Sequence, residues 1–286
     1  MKEIIKYIRI ERGISQQQFA DELGVAFATV NRWEQGKTKP NELVQKTLYE
    51  YSKKYHIDLL SYIINKYNIC LHKYNNERKI ILFHGSKSGI NNDILPISRK
   101  QCDFGKGFYM GTEVLQPLTL ICNYENPKLY IVEIDVNNLN VLEVPTTIEW
   151  ALVVAYNRGK LEIINKKNIY NKYKNMFNEY DVVIGNIADD RMFYVLDNFF
   201  EGNITDEGLV ECLNTLQLGK QFVAITEKAC KNILIKKEIS LTKLELLCLQ
   251  DISEKNRRKG IESANEICRN YRRSGKYFDE ILGEED

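Results

Sequence analysis

Residues 79–86 read KIILFHGS, and the pattern of the chain changes there. Before Lys79, apolar residues recur at helical spacing, as in Ile4, Ile5 and Ile8 and again in Phe19, Ala20 and Leu23. From Lys79 onward, short runs rich in β-branched and aromatic residues take over: KLYIVEIDV (128–136), NVLEV (140–144), YDVVIGNI (180–187) and KQFVAIT (220–226). Helical stretches around 147–158, 190–200 and 206–217 separate them, and Thr226 reads as the N-cap of a short helix. After residue 240 the chain is helical and charged. The pattern predicts a multidomain protein: an all-α domain at 1–54, a linker helix at 55–78, an α+β domain at 79–240 and a helical C-terminal segment at 241–286.

Composition excludes more than it assigns. The 286 residues carry 40 Lys and Arg against 39 Asp and Glu, a net charge of +1, so nucleic-acid contact requires a local patch rather than a global field. The 7 cysteines are dispersed without a Cys-x-x-Cys pair, and there are 3 histidines, which argues against a zinc site or a disulfide framework and for reduced thiols in a cytoplasm. No apolar run approaches the roughly 18 residues of a membrane span, so a soluble, cytoplasmic protein is expected. The C-terminal arginines Arg257, Arg258, Arg269, Arg272 and Arg273 alternate with acids and read as solvated helix faces.

In the N-terminal part, Ser15 reads as an N-cap. The run SQQQFADELGVAFATVNRWEQGKTKP (15–40) then gives a helix, a turn at Gly24 and a second helix from about Phe27 to Gln35. This stretch resembles the Xre/Cro family of helix-turn-helix domains, with Ala20, Gly24, Val25, Val30, Trp33, Glu34 and Gly36 at its packing and turn positions. The resemblance implies DNA as a partner. Ala28, Thr29, Asn31 and Arg32 are then expected at base edges, with Gln16, Gln17, Lys37 and Lys39 as candidates for the phosphates. Dimerisation or protein binding is the competing use of such a fold.

The second domain opens with His84, Gly85 and Ser86 at a strand end, followed about twenty residues later by KQCDFGKGFYMGT (100–112). Gly105 and Gly107 lie there among Phe104, Phe108 and Tyr109. Glycines permit close backbone approach and the rings offer stacking faces for a flat ligand. The ordered set FHGS, DFGKGFYMGT, YDVVIGNIADDRMF and GKQFVAITEKA resembles the His-Tyr-Glu class of NAD-dependent ADP-ribosyltransferases, and within it most resembles the DUF3990 proteins, from about Ile81 to Leu234. The resemblance implies an α+β ADP-ribosyltransferase-like fold with NAD as cofactor. His84 would bind the adenosine-side ribose, Gly85 the nicotinamide amide, and Tyr109 would stack on the nicotinamide. Ser86, Phe104, Gly105, Gly107 and Phe108 complete the expected cofactor-binding set. Both phenylalanines have an alternative as core.

Gln221 stands where the class carries a glutamate. An amide can bond the ribose but adds no negative charge against the cation that develops as nicotinamide leaves. Asp189 and Asp190 are the candidate acids, as a general base or as caps of the helix that follows. No metal is expected. Three functions compete: a mono-ADP-ribosyltransferase, the toxin of a bacterial toxin–antitoxin or phage-defence locus; a transcriptional regulator whose second domain binds NAD or an ADP-ribose ligand without chemistry; and a plain interaction module, which leaves the glycine loop without a purpose. An antitoxin protein, an acceptor macromolecule and a homodimer are the further partners of the first reading.

Overall fold

The computed structural model describes residues 1–74, 79–159, 167–187, 190–216 and 219–284. The N-terminal part is helical: α1 (Lys2–Glu11), α2 (Gln16–Leu23), α3 (Phe27–Gln35), α4 (Glu42–Lys54) and α5 (Leu59–Tyr74). Ser15 caps α2 through a capping box with Gln18, and Gly24 ends it at φ 67°, a left-handed backbone that glycine adopts without strain. Ile4, Ile5, Ile8, Phe19, Ala20, Val30 and Trp33 are buried, so the helical spacing does mark the inward faces.

The second part is built on a mixed sheet. Its strands are β1 (Ile80–Ser86), β2 (Phe108–Gly111), β3 (Lys128–Ile134), β4 (Val141–Glu143), β5 (Val182–Asn186), β6 (Lys220–Ala224) and β7 (Ile233–Ser240). They form one seven-stranded sheet in the order β4-β5-β6-β2-β1-β3-β7. β4 and β5 run parallel and the other neighbours antiparallel. The helices are α6 (Leu115–Ile121), α7 (Ile148–Asn157), α8 (Lys167–Lys174), α9 (Asp190–Phe200), α10 (Asp206–Leu216), α11 (Glu227–Lys231), α12 (Lys243–Asn270) and α13 (Phe278–Glu284). Trp150 to Ala155 of α7 are buried without a break, as expected of a helix that is apolar all round.

The second half of the glycine-flanked stretch is the strand β2, held between β1 and β6. Its period-two pattern is only four residues long: Phe108 and Met110 join one core cluster, while Tyr109 packs against another.

The helical part is not tethered loosely to the sheet. One apolar core contains Ile5, Phe19, Val30 and Leu48 together with Phe83 and Ile131 of the sheet, Leu118 and Ile121 of α6, and Leu244 and Leu249 of α12. Thr242 caps α12 in a capping box with Glu245. The buried Glu245 carboxylate also accepts from Lys66 Nζ at 2.7 Å and the Tyr67 hydroxyl at 3.1 Å. At about 1.5 Å per residue, α12 runs about 42 Å. It reaches from this shared core to the cluster beneath α7 and α9, where Ala264 is buried.

Candidate functional site

A cavity of about 730 Å³ opens along the seam between β1 and β2. Among the described residues these strands share a single paired position, Phe83 with Gly111. β1 goes on to pair with β3 through Ser86, and β2 with β6 through Phe108, so beyond that position no strand pairing joins β1 to β2. The volume lies within the range of roughly 300–1,000 Å³ usual for cofactor sites.

His84 stands in the seam. Its Nδ1 lies 2.7 Å from the carbonyl oxygen of Tyr109. A carbonyl only accepts, so Nδ1 carries the proton and neutral His84 keeps Nε2 as an acceptor. Burial pushes the imidazole pKa below its ordinary value, with the Tyr109 carbonyl working in the other direction. The ring stacks on Phe108, 4.1 Å between centroids and 22° between planes. Gly85 lets α6 lie against β1: a Cβ there would come within 2.9 Å of both Ile121 Cγ2 and the Pro117 carbonyl oxygen. The Ser86 hydroxyl shapes the turn that follows, donating to Gly89 O and accepting from Gly89 N, both at 3.0 Å.

Tyr109 is held at both ends. Its hydroxyl donates to Gly105 O at 2.7 Å and accepts from Phe104 N at 3.0 Å, fixing the preceding loop on the strand. Burial, with the Asp103 carboxylate adding to it, pushes the phenol pKa well above the usual tyrosine range. Gly107 serves the protein's own packing, since a Cβ there would collide with Val223 Cγ1 and lie 3.0 Å from Ala224 O.

Gln221 is buried on β6, in register between Gly111 of β2 and Gly185 of β5. Its Nε2 donates to Asp103 Oδ2 and to the Asn186 carbonyl, each at 2.9 Å. Both neighbours are acceptors at that position, which fixes the amide orientation and leaves Oε1 as the side chain's acceptor. Asp103 is itself buried, and its other oxygen is ion-paired with Arg158 Nη2.

The cavity wall thus collects His84, Gly85, Ser86, Gly107, Phe108, Tyr109 and Gln221. Phe104 and Gly105 are not on it: Phe104 is 1% exposed and packs in the core against Phe177, while Gly105 turns the loop at φ 74°. Asp189 and the side chain of Asp190 lie outside the described residues. Asp103 and Arg158, which also line the cavity, were not singled out in the sequence. Asp103 belongs to the quoted stretch KQCDFGKGFYMGT, where an acid beside Phe104 was the available signal; nothing local marks Arg158. Among the described residues no group of three or more His, Cys, Asp or Glu side chains could hold a metal ion.

On α3, Ala28 and Arg32 are exposed and Thr29 and Asn31 partly so. Asn31 Nδ2 donates to Gln16 Oε1 at 3.1 Å, and Gln16 Nε2 donates to Glu34 Oε2 at 2.7 Å, which joins the two helices' polar faces. Arg9 completes the set, donating to both Glu34 oxygens at 2.6 and 3.0 Å. Gln17 is exposed and donates to Asp21, and Lys37 and Lys39 are exposed beyond the helix. Phe27, 44% exposed at the start of α3, is an aromatic on this surface that the sequence reading passed over.

A helix-turn-helix family model matches residues 5–59. Residues 80–234, more than half of the chain, match the model described as protein of unknown function DUF3990. The chain belongs to the DUF3990 family. Neither a curated protein nor a solved structure matches it. The DUF3990 region begins on β1 and ends on β7, so it holds the whole seam between β1 and β2. Among the described residues no helix of this DUF3990 protein is long and apolar enough to cross a membrane.

Proposed function

We propose that this protein is an NAD-dependent mono-ADP-ribosyltransferase joined to a DNA-binding helix-turn-helix domain. The observation that carries the reading is the pair of fixed acceptors, His84 Nε2 and Gln221 Oε1, on the walls of one cavity that also offers the rings of Phe108 and Tyr109. Acceptors without competing donors fit ribose hydroxyls, and the aromatic faces fit a planar base. In this reading His84 accepts from the adenosine-side ribose, Gln221 from the nicotinamide-side ribose, the Gly85 backbone meets the carboxamide and Tyr109 flanks the nicotinamide. NAD supplies a ribose C1′ bearing a cationic leaving group. The protein orients that group and excludes water, and the fixed dipole of Gln221 needs no reorganisation when charge develops.

The helix-turn-helix match supports DNA as the partner of α3, with Arg32 and the linked Asn31–Gln16 pair as its polar readers. The resemblance to toxin-like transferases supports a role as the effector of a toxin–antitoxin or phage-defence locus, opposed by an antitoxin protein. One observation favours the second reading, a regulator that binds NAD without turnover: Asp103, the acid on the cavity wall beside Gln221, is already engaged by Arg158 and Gln221.

Incubation of the full chain with labelled NAD and cell lysate decides between them. Transfer of label with release of nicotinamide is expected. NAD binding without either product would establish the regulator reading instead.

A further inference from the structure

The cavity wall carries a carboxylate hydrogen-bonded to Gln221, the residue proposed to meet the ribose. Asp103 Oδ2 accepts from Gln221 Nε2, Asp103 Oδ1 accepts from Arg158 Nη2, and the Asn186 carbonyl takes the second amide hydrogen of Gln221 as well as the Trp150 indole N–H at 3.1 Å. Asp103 and Gln221 are both buried, and Trp150 is fully so. A carboxylate accepting from the NH₂ end of an amide draws electron density toward its oxygen, an effect that strengthens where water is excluded. Resting on the NAD reading above, we infer that Asp103, held by Arg158, is a positioning residue that locks the Gln221 amide and loads negative charge onto Gln221 Oε1. The acid and the ligand-facing group are then two residues, joined by one hydrogen bond.

This arrangement has an unusual consequence for substitution. Gln221→Glu brings in the carboxylate that the resembling class carries, yet here it removes the donor that Asp103 and the Asn186 carbonyl both require. Two carboxylates would meet across 2.9 Å, and one of them must take up a proton or move away. Moving the charge rather than doubling it is the compatible change: Asp103→Asn with Gln221→Glu keeps one acid, one amide and the Arg158 cation.

The test is steady-state release of nicotinamide from NAD by the full chain, with NAD affinity measured calorimetrically and the melting temperature of each variant recorded. Gln221→Glu should lose roughly 100-fold in kcat, the scale of a removed electrostatic stabiliser. Adding Asp103→Asn should recover roughly tenfold of that, a non-additivity expected only of directly coupled groups. Asp103→Asn alone turns its NH₂ toward a donor, Gln221 or Arg158, so the melting temperature should fall; below that temperature kcat should fall roughly tenfold with KM close to wild type, because the charge acts where the cation develops. Wild-type rates in Gln221→Glu, or an unchanged kcat in Asp103→Asn, would overturn the inference while leaving the NAD reading in place. A wild-type chain that neither binds NAD nor releases nicotinamide would overturn the NAD reading itself.

Discussion

The imidazole of His84 lies flat over the ring of Phe108, 4.1 Å between centroids, in the seam where β1 and β2 cease to pair. The stack holds a half-buried histidine whose Nδ1 fastens β2 to β1 and whose Nε2 accepts from the ligand in the proposed reading. Phe108→Leu keeps an apolar side chain on β2 but removes the stacking face. NAD affinity should fall about 3- to 10-fold, corresponding to about 0.5–1.5 kcal/mol for an aromatic pair, and titration calorimetry reads it directly. Affinity equal to wild type would remove the stack from the binding account.

His84 also sets a pH dependence. Its folded pKa lies below the ordinary value, so as pH falls below about 6.5 the unfolded chain takes up a proton that the folded chain refuses. Stability from this residue is therefore complete above the ordinary value and is lost as pH falls toward the lowered one. Urea denaturation between pH 5 and 8 should show stability declining on the acid side, and His84→Asn should flatten that limb. NAD affinity should decline over the same acid range as Nε2 becomes a donor.

Tyr109→Phe separates the ring from the hydroxyl. The ring stays as a wall of the cavity while the loop loses the donor to Gly105 O and the acceptor for Phe104 N. Loss of stability of about 1–3 kcal/mol is expected from leaving these backbone groups short of a partner. NAD affinity should stay within a few fold of wild type, whereas Tyr109→Ala should lose binding. Equal losses in both variants would mean that the loop anchor, rather than the ring, sustains the cavity.

The proposed DNA surface divides into readers and supports. Arg32→Ala removes an exposed side chain and should cost about 1–3 kcal/mol of operator discrimination with little change in folding. Glu34 is different: burial raises its pKa, but hydrogen bonds from Arg9 and Gln16 more than offset this and hold it below the usual glutamate range. Its contribution to stability is present above the ordinary glutamate pKa and is lost as pH falls through the lowered one. Glu34→Gln should therefore lower stability at neutral pH by about 2 kcal/mol, between the values for exposed and fully buried ion pairs, and should reduce the acid sensitivity of the N-terminal helices followed by circular dichroism.

Much of this molecule was legible in its sequence where the signal is local. Ser15, Thr226, Gly24 and the span Phe27–Gln35 need only neighbouring residues to define caps, a turn and a helix, and they stand where the pattern put them. The helices predicted around 147–158, 190–200 and 206–217 appear as α7, α9 and α10. The strand in FYMG was not legible, because four residues give too short an alternation and the glycines around it argue for a turn. α6 was missed for a related reason, with Pro117 inside LQPLTLI speaking against a helix whose first turn tolerates it. The contact of Asp103 with Gln221 spans 118 positions and exists only once β6 is laid beside β2, so no periodicity could announce it.

The core that joins the N-terminal helices to α6, the sheet and α12 has a geometric meaning for the proposed activity. Side chains of both parts pack in one core across that junction, so a swivel between α3 and the seam would have to break it. A duplex gripped by α3 would stand at a set bearing and a set distance from the mouth of the cavity. An acceptor on the same stretch of nucleic acid would then be chosen by reach, much as a fixed compass arm can mark only one circle.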